Sequence, residues 1–330
     1  MLYPLRFHPV LKQYIWGGRR LGPELGKPVP AGESCAESWE VCDRRTPTGL
    51  AEQSRVMAGP LAGEALGDLV DRYPRELLGR HAPQPRFPLL LKLLDTAHAL
   101  SVQVHPDDAG GALLDPPDAG KTEAWVVLAA EPGASLFVGL RRGFDRASFE
   151  RELARGTCEL CMERLEPKPG DCVFVPAGLI HALGAGLLVA EIQQSSDTTF
   201  RLFDWNRVGP DGQPRPLHLE QGLTAMDDTL GPGVFATPQP TDRAHVSRLV
   251  ECDKFVLDRW EFSKTERCGG DDRCHLLTVV EGSVRVAGDA VEAPLERGGT
   301  LLLPASLPAV ELTPAGDTGK RTVLLDAYLP

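Results

Sequence analysis

The chain has 330 residues, 42% of them hydrophobic and 25% charged, with a formal net charge of −11 at pH 7. This is a globular composition with room for two domains, and an acidic chain with no basic stripe is a poor general binder of nucleic acid. Its 8 cysteines are too sparse for a disulfide framework, no apolar run reaches the length of a membrane span, and the proline-broken start MLYPLRFHPVLKQYIWGG lacks the core of a signal peptide, which places the chain in the cytoplasm.

In chain order, GEALGDLVDRY (63–73) has the apolar spacing of a helix. PLLLKLLD (88–95), LSVQVHP (100–106), EAWVVLA (123–129) and ASLFVGL (134–140) then read as short strands. FDRASFERELARG (144–156) is a second helix, with Asp145 as its N-cap and Gly156 as its stop. Cys158 and Cys161 make a single CxxC with no second pair and read as ordinary thiols. DCVFVPA (171–177) and GLLVAEIQQ (186–194) are further strands, and HLEQGLTAMDD (218–228) is a third helical pattern. TPQPTDRA (237–244) reads as a linker before a β-rich block, 246–330. Strands at this spacing, punctuated by glycine and proline, form an antiparallel barrel or sandwich.

A weak internal repeat links the two blocks. GDCVFVPAGLIH (170–181) and GGTLLLPASLPA (298–309) each describe a strand, a proline-containing turn and a second strand. The first copy ends on His181 and the second on Ala309.

The first block gathers the residues that carry chemistry. Gln103 and His105 are two apart on a strand, so they share a face. His181 follows a rigid Pro-x-Gly turn, and Glu123 opens another strand. Two imidazoles, one carboxylate and one amide suit a borderline divalent ion such as zinc, with a position left open for water or substrate. Three basic residues stand near them in sequence: Lys92, Lys121 and Arg201. Lys92 lies among leucines 89, 90, 91, 93 and 94, so it either snorkels outward or faces a polar cavity. Two lysines and an arginine beside a cation favour a phosphate over a neutral ligand. Asp197 either orients Arg201 or bonds sugar hydroxyls.

The pattern Gly170-x5-Pro176-x-Gly178-x2-His181, with QVH and Glu123 before it, resembles the paired motifs of the cupin family, although Gln103 stands where histidine is commoner. Over a longer stretch, IWGGRRL (15–21), ESWEV (37–41), PLLLKLLDTAHALSVQVHPDD, GKTEAW, GDCVFVPAGLIHALG and AEIQQSSDTTFRLFDW resemble the ordered motifs of type I phosphomannose isomerases. This resemblance spans roughly residues 1–207. It implies a mainly β chain of two cupin-like jelly-roll barrels. A catalytic domain would cover residues 1–240, with helical segments at about 50–85 and 206–236, and a degenerate cupin-like domain residues 241–330. It further implies one Zn2+ per chain, or another divalent metal, on Gln103, His105, Glu123 and His181. Lys92, Lys121, Asp197 and Arg201 would bind a sugar phosphate. Glu37 and Glu191 would lie near the cavity.

The reaction implied is the interconversion of mannose 6-phosphate and fructose 6-phosphate through a cis-enediol. Arg201, Lys121 and Glu191 are the candidate catalytic groups, and Lys121, Glu191 or a water on the ion would each serve as the base. His98 reads as an exposed loop residue. Two other readings use the same pocket. An iron-dependent cupin dioxygenase would not need the three cations together, and a sugar-phosphate sensor would bind without turnover.

Overall fold

Leucines at successive positions in LLLKLLD need cover on both faces, because neighbouring side chains of a strand point to opposite sides. The computed structural model, which describes residues 2–45, 52–209, 212–316 and 321–330, supplies that cover with four stacked sheets. The strands of these sheets are numbered here in chain order. The first half contributes β1 (Val10–Lys12), β2 (Glu37–Val41), β3 (Leu89–Thr96), β4 (Val102–Val104), β5 (Glu123–Ala130) and β6 (Leu136–Leu140). It continues with β7 (Met162–Leu165), β8 (Cys172–Val175), β9 (His181–Leu183), β10 (Leu187–Gln194) and β11 (Phe200–Phe203). The second half contributes β12 (Gln239–Pro240), β13 (Val246–Glu251), β14 (Val256–Phe262), β15 (Glu266–Cys268) and β16 (His275–Glu281). It ends with β17 (Ser283–Val286), β18 (Leu295–Glu296), β19 (Thr300–Leu303), β20 (Val310–Pro314) and β21 (Thr322–Tyr328).

A six-stranded sheet, β8–β5–β10–β3–β2–β1, faces a five-stranded one, β7–β6–β9–β4–β11. Between them lie Leu94, Trp125, Val127 and Val189 from the first and Leu136, Val138 and Leu183 from the second. A second six-stranded sheet, β19–β16–β21–β14–β13–β12, faces the four-stranded β15–β20–β17–β18 across Trp260, Leu277, Leu324, Val284 and Leu312. The backs of the two six-stranded sheets share one core, in which Leu91, Leu93, Val126 and Leu188 join Leu257, Leu276, Leu302 and Leu325. Each of these buried side chains contributes roughly 1.5–3 kcal/mol. The layers form the jelly-roll-like, mainly β architecture expected from the sequence, as open facing sheets rather than closed barrels.

The fate of LLLKLLD follows. Leu89, Leu91 and Leu93 enter the shared core, Leu90 packs on Trp39, and Lys92 and Leu94 point to the interior of the first pair.

The six α-helices of the described residues are short: α1 (Leu21–Leu25), α2 (Leu66–Arg72), α3 (Pro74–Leu78), α4 (Asp108–Ala112), α5 (Arg146–Arg155) and α6 (Leu219–Ala225). Of the two stretches read as helical, 50–85 holds α2, α3 and two short strands, and 206–236 holds α6 alone. Residues 50, 51, 210 and 211 lie outside the described residues. The segment read as a linker, 237–244, contributes the edge strand β12 instead, because Gln239 and Pro240 pair with Arg248 and Ser247.

Asp145 caps α5 by accepting a hydrogen bond from the Ser148 amide (2.8 Å), and Gly156 ends the helix at a φ of 72°, open to glycine without strain. Asp145→Ala is expected to lower stability by about 1 kcal/mol, read as a shifted denaturation midpoint with activity unchanged.

The weak repeat in the sequence is a repeat of sheets. The six-stranded sheets match strand for strand in the order given, and β4–β9–β6–β7 of the first pair matches β15–β20–β17–β18 of the second. Pro176 follows β8 as Pro304 follows β19.

Candidate active site

His105 leaves the end of β4, Glu123 opens β5 and His181 opens β9. The Pro176 turn brings them together. Gly178 sits at a φ of 86° and its amide donates to the His105 carbonyl (2.9 Å), which ties the approach to His181 to the strand end carrying His105. Gln103 lies directly opposite His181 across the β4–β9 ladder.

The ligand atoms of His105, Glu123 and His181 lie within 4.8 Å of one another, all buried. His105 Nε2 is 3.6 Å from Glu123 Oε2, and His181 Nε2 is 3.5 Å from Oε1. The other ring nitrogen of each histidine meets a carbonyl: Nδ1 of His105 at Thr198 (2.8 Å) and Nδ1 of His181 at Leu179 (2.8 Å). Those carbonyls hold the proton on Nδ1 and leave both Nε2 lone pairs facing Glu123. Gln103 places its amide 3.2 Å from His181 Nε2.

Burial keeps both imidazoles neutral: His181 is pushed down to about 4, and His105 falls well below the usual histidine value, with Lys121 adding to the effect. Burial and the nearby Glu191 push Glu123 up to about 7. Neither Glu123 oxygen receives a directed hydrogen bond, although Lys121 Nζ stands 2.7 Å from Oε2 and 3.0 Å from His105 Nε2. Neutral imidazoles around a buried carboxylate whose only close cation among the described residues is Lys121 fit a divalent ion and leave it room for an outside ligand.

A cavity of about 230 Å³ lies beside this cluster, reaching it at Gln103 and Lys121, with Lys92, Glu191, Asp197 and Arg201 also in its lining. Lys92 is buried there between carboxylates, with Nζ 3.5 Å from Glu37, 3.5 Å from Glu191 and 3.8 Å from Asp197, and over the Trp39 ring at 4.8 Å. Burial opposes its charge, but the three carboxylates outweigh it and raise it above the usual lysine value. Burial would likewise raise Glu191, but Lys121 and Lys92 prevail and hold it below the usual carboxylate range, and Trp125 Nε1 donates to it (3.0 Å). Glu37 is raised, first by burial, and accepts from Trp39 Nε1.

Asp197, read from the sequence as a partner of Arg201 or of sugar hydroxyls, faces Lys92 (3.8 Å). The Arg201 guanidinium donates to the Pro216 carbonyl (2.8 Å) and keeps a buried Nε without a partner. Burial and Arg215 depress its affinity for a proton. His98 is exposed and lies away from the cavity lining.

Sequence reasoning missed three participants. Arg215, paired with Asp204 (2.6 Å), adds a fourth cation to the cavity, and Tyr14 forms part of its wall. Asp118 accepts from Ser196 (3.1 Å) and Thr198 (3.0 Å) and pairs with Arg44 (2.9 Å), which sets the Thr198 carbonyl that orients His105. These residues stand in irregular segments without periodicity, so only the fold brings them in.

Residues 4–123 match the family model of the phosphomannose isomerase type I catalytic domain. A mannose-6-phosphate isomerase of Streptococcus mutans is 33% identical over 309 residues, covering 93% of this chain and 94% of its own. A Bacillus subtilis mannose-6-phosphate isomerase is 32% identical over 305 residues, with 92% and 94% covered. The crystal structure of the mannose 6-phosphate isomerase from Bacillus subtilis superposes with a TM-score of 0.86 at 29% identity, over 99% of both chains. No helix among the described residues is long and apolar enough to cross a membrane. Sequence and fold agree along nearly the whole length, and the chain belongs to the type I phosphomannose isomerase family.

Proposed function

We propose that this chain interconverts mannose 6-phosphate and fructose 6-phosphate in the cytoplasm. In this reading it uses one Zn2+ on Gln103, His105, Glu123 and His181. The observation that carries the reading is a buried His105–Glu123–His181 cluster beside a cavity lined by Lys92, Lys121, Arg201 and Arg215. A phosphorylated sugar that develops further negative charge needs both features.

The chemistry moves a proton between C1 and C2 of the open-chain sugar through a cis-enediol. The ion, when bound, would supply positive charge next to the oxygens on which the enediolate is negative. Arg201 and Arg215 attract the phosphate, and that anchor holds the reacting carbons in one place. Lys121 reaches the ligand cluster and donates to an oxygen of the substrate. Glu191, held charged by two lysines, accepts the carbon-bound proton. Lys92 keeps Glu191 and Glu37 in position, and Asp197 is exposed enough to bond sugar hydroxyls.

Fructose 6-phosphate formation from mannose 6-phosphate tests the reading, before and after chelation and with zinc returned. Loss and recovery support it, and no product from folded protein under any divalent ion overturns it in favour of a sensor. Arg201→Ala is expected to lower kcat/KM by about a hundredfold while metal content stays unchanged. Near-normal turnover in that variant removes Arg201 from the site.

A further inference from the structure

The second sheet pair repeats the first strand by strand, and the registers carry the positions of the site with them. Val175 of β8 lies opposite Glu123, and Leu303 of β19 lies opposite His275. Each of these two outer residues precedes a proline, so His275 is the counterpart of Glu123. On the next strand Gln193 lies opposite Glu123 and Tyr328 opposite His275. Two residues earlier stand Glu191 and Asp326, which makes Asp326 the counterpart of Glu191. In the facing sheets Gln103 lies opposite His181, and Cys268 lies opposite Val310, the first inward residue of β20. Cys268 is then the counterpart of Gln103. His181 itself has an apolar counterpart in Val310.

The counterparts converge. His275 Nδ1 is 2.9 and 3.0 Å from the two oxygens of Asp326, and Cys268 Sγ is 3.7 Å from Asp326 Oδ2. All three are buried, and their ligand atoms lie within 4.8 Å of one another. A separate cavity of about 400 Å³ is lined by all three. Asp271 Oδ1 lies 3.1 Å from His275 Nε2. Both ring nitrogens thus face a carboxylate; with an ion on Nδ1, Asp271 would hold the proton on Nε2. Arg80, Arg243, Arg248 and Arg273 also line this cavity, where Asp258 (2.6 Å) and Glu251 pair with Arg248, Asp271 (3.8 Å) faces Arg273 and Arg243 lies over the Trp260 ring.

We propose that Cys268, His275 and Asp326 form a second metal site, distinct from the catalytic one, for a divalent ion that accepts thiolate. One sulfur, one nitrogen and one oxygen donor favour zinc or cobalt(II) over magnesium or calcium. Binding displaces the proton of the Cys268 thiol and any proton on His275 Nδ1, and releases them to solvent. With three protein donors the fourth position faces the cavity.

Cobalt(II) loading of the full chain separates this site from the first one. The catalytic set offers only nitrogen and oxygen, so a thiolate-to-cobalt band in the near ultraviolet reports the second site alone. Two ions per chain and such a band are expected. Cys268→Ser and His275→Gln should each lose the band and one ion and keep isomerase activity. His181→Ala should keep the band and lose the other ion, so failure of the isomerase reading leaves this test intact. One ion per chain without the band overturns the proposal and leaves a hydrogen-bonded Cys–Asp–His cluster. A band that survives in Cys268→Ser overturns it equally.

Discussion

His181→Ala is expected to empty the catalytic site of its ion and to lower kcat/KM by at least about a thousandfold. The ring supplies one of three buried donors and stands 3.5 Å from Glu123 Oε1. Its removal leaves Glu123 facing a hole, with Lys121 as the nearest cation. Lys121, already 2.7 Å from that carboxylate, is then left as its counter-charge, and the charge on the enediolate loses its main stabiliser. Metal analysis and turnover of the purified variant read the two effects together. Full metal content with near-normal turnover would remove His181 from the ligand set.

Lys92→Met is expected to cost about 3–5 kcal/mol of stability, because it strands Glu37 in the interior without a cation and leaves Glu191 to Lys121 alone. The loss has a pH signature. In the variant Glu37, already raised by burial, loses the cation that held it down and titrates further above its unfolded value, so the native state binds more protons than the unfolded chain. Stability therefore rises as pH falls. The deficit against the parent should shrink between pH 8 and pH 5 in urea titrations. A deficit independent of pH would assign the loss to packing against Trp39 rather than to charge. Lys92→Arg keeps the cation and serves as the control.

Much of the first site was legible because a strand alternates its side chains. Gln103 and His105 declared a common face, and a lysine among leucines declared a polar interior. The pairing of Lys92 with Glu37, Glu191 and Asp197 was not legible from local pattern, since Glu37 arrives from β2 and the other two from β10 and the segment after it. Asp197 and Arg201 are close in sequence, which left a pair open beside a role on sugar hydroxyls. The chain enters β11 between them, and Asp197 turns to Lys92 instead. Arg215 and Asp118 gave no local signal at all. The second half looked degenerate by its motif, because Ala309 stands where the first copy of the repeat has His181. Register alone shows that β15, β16 and β21 still direct polar side chains to the same place.

The two six-stranded sheets share one apolar core, and backbone bonds stitch across it: Leu5 pairs with Leu302 in both directions, and the amides of Ala305 and Ser306 donate to Leu77 and Glu76. Neither half can open without baring the other. Heating should therefore melt the chain in one cooperative step, with equal calorimetric and van't Hoff enthalpies. An ion bound in either half would then raise the melting temperature of both.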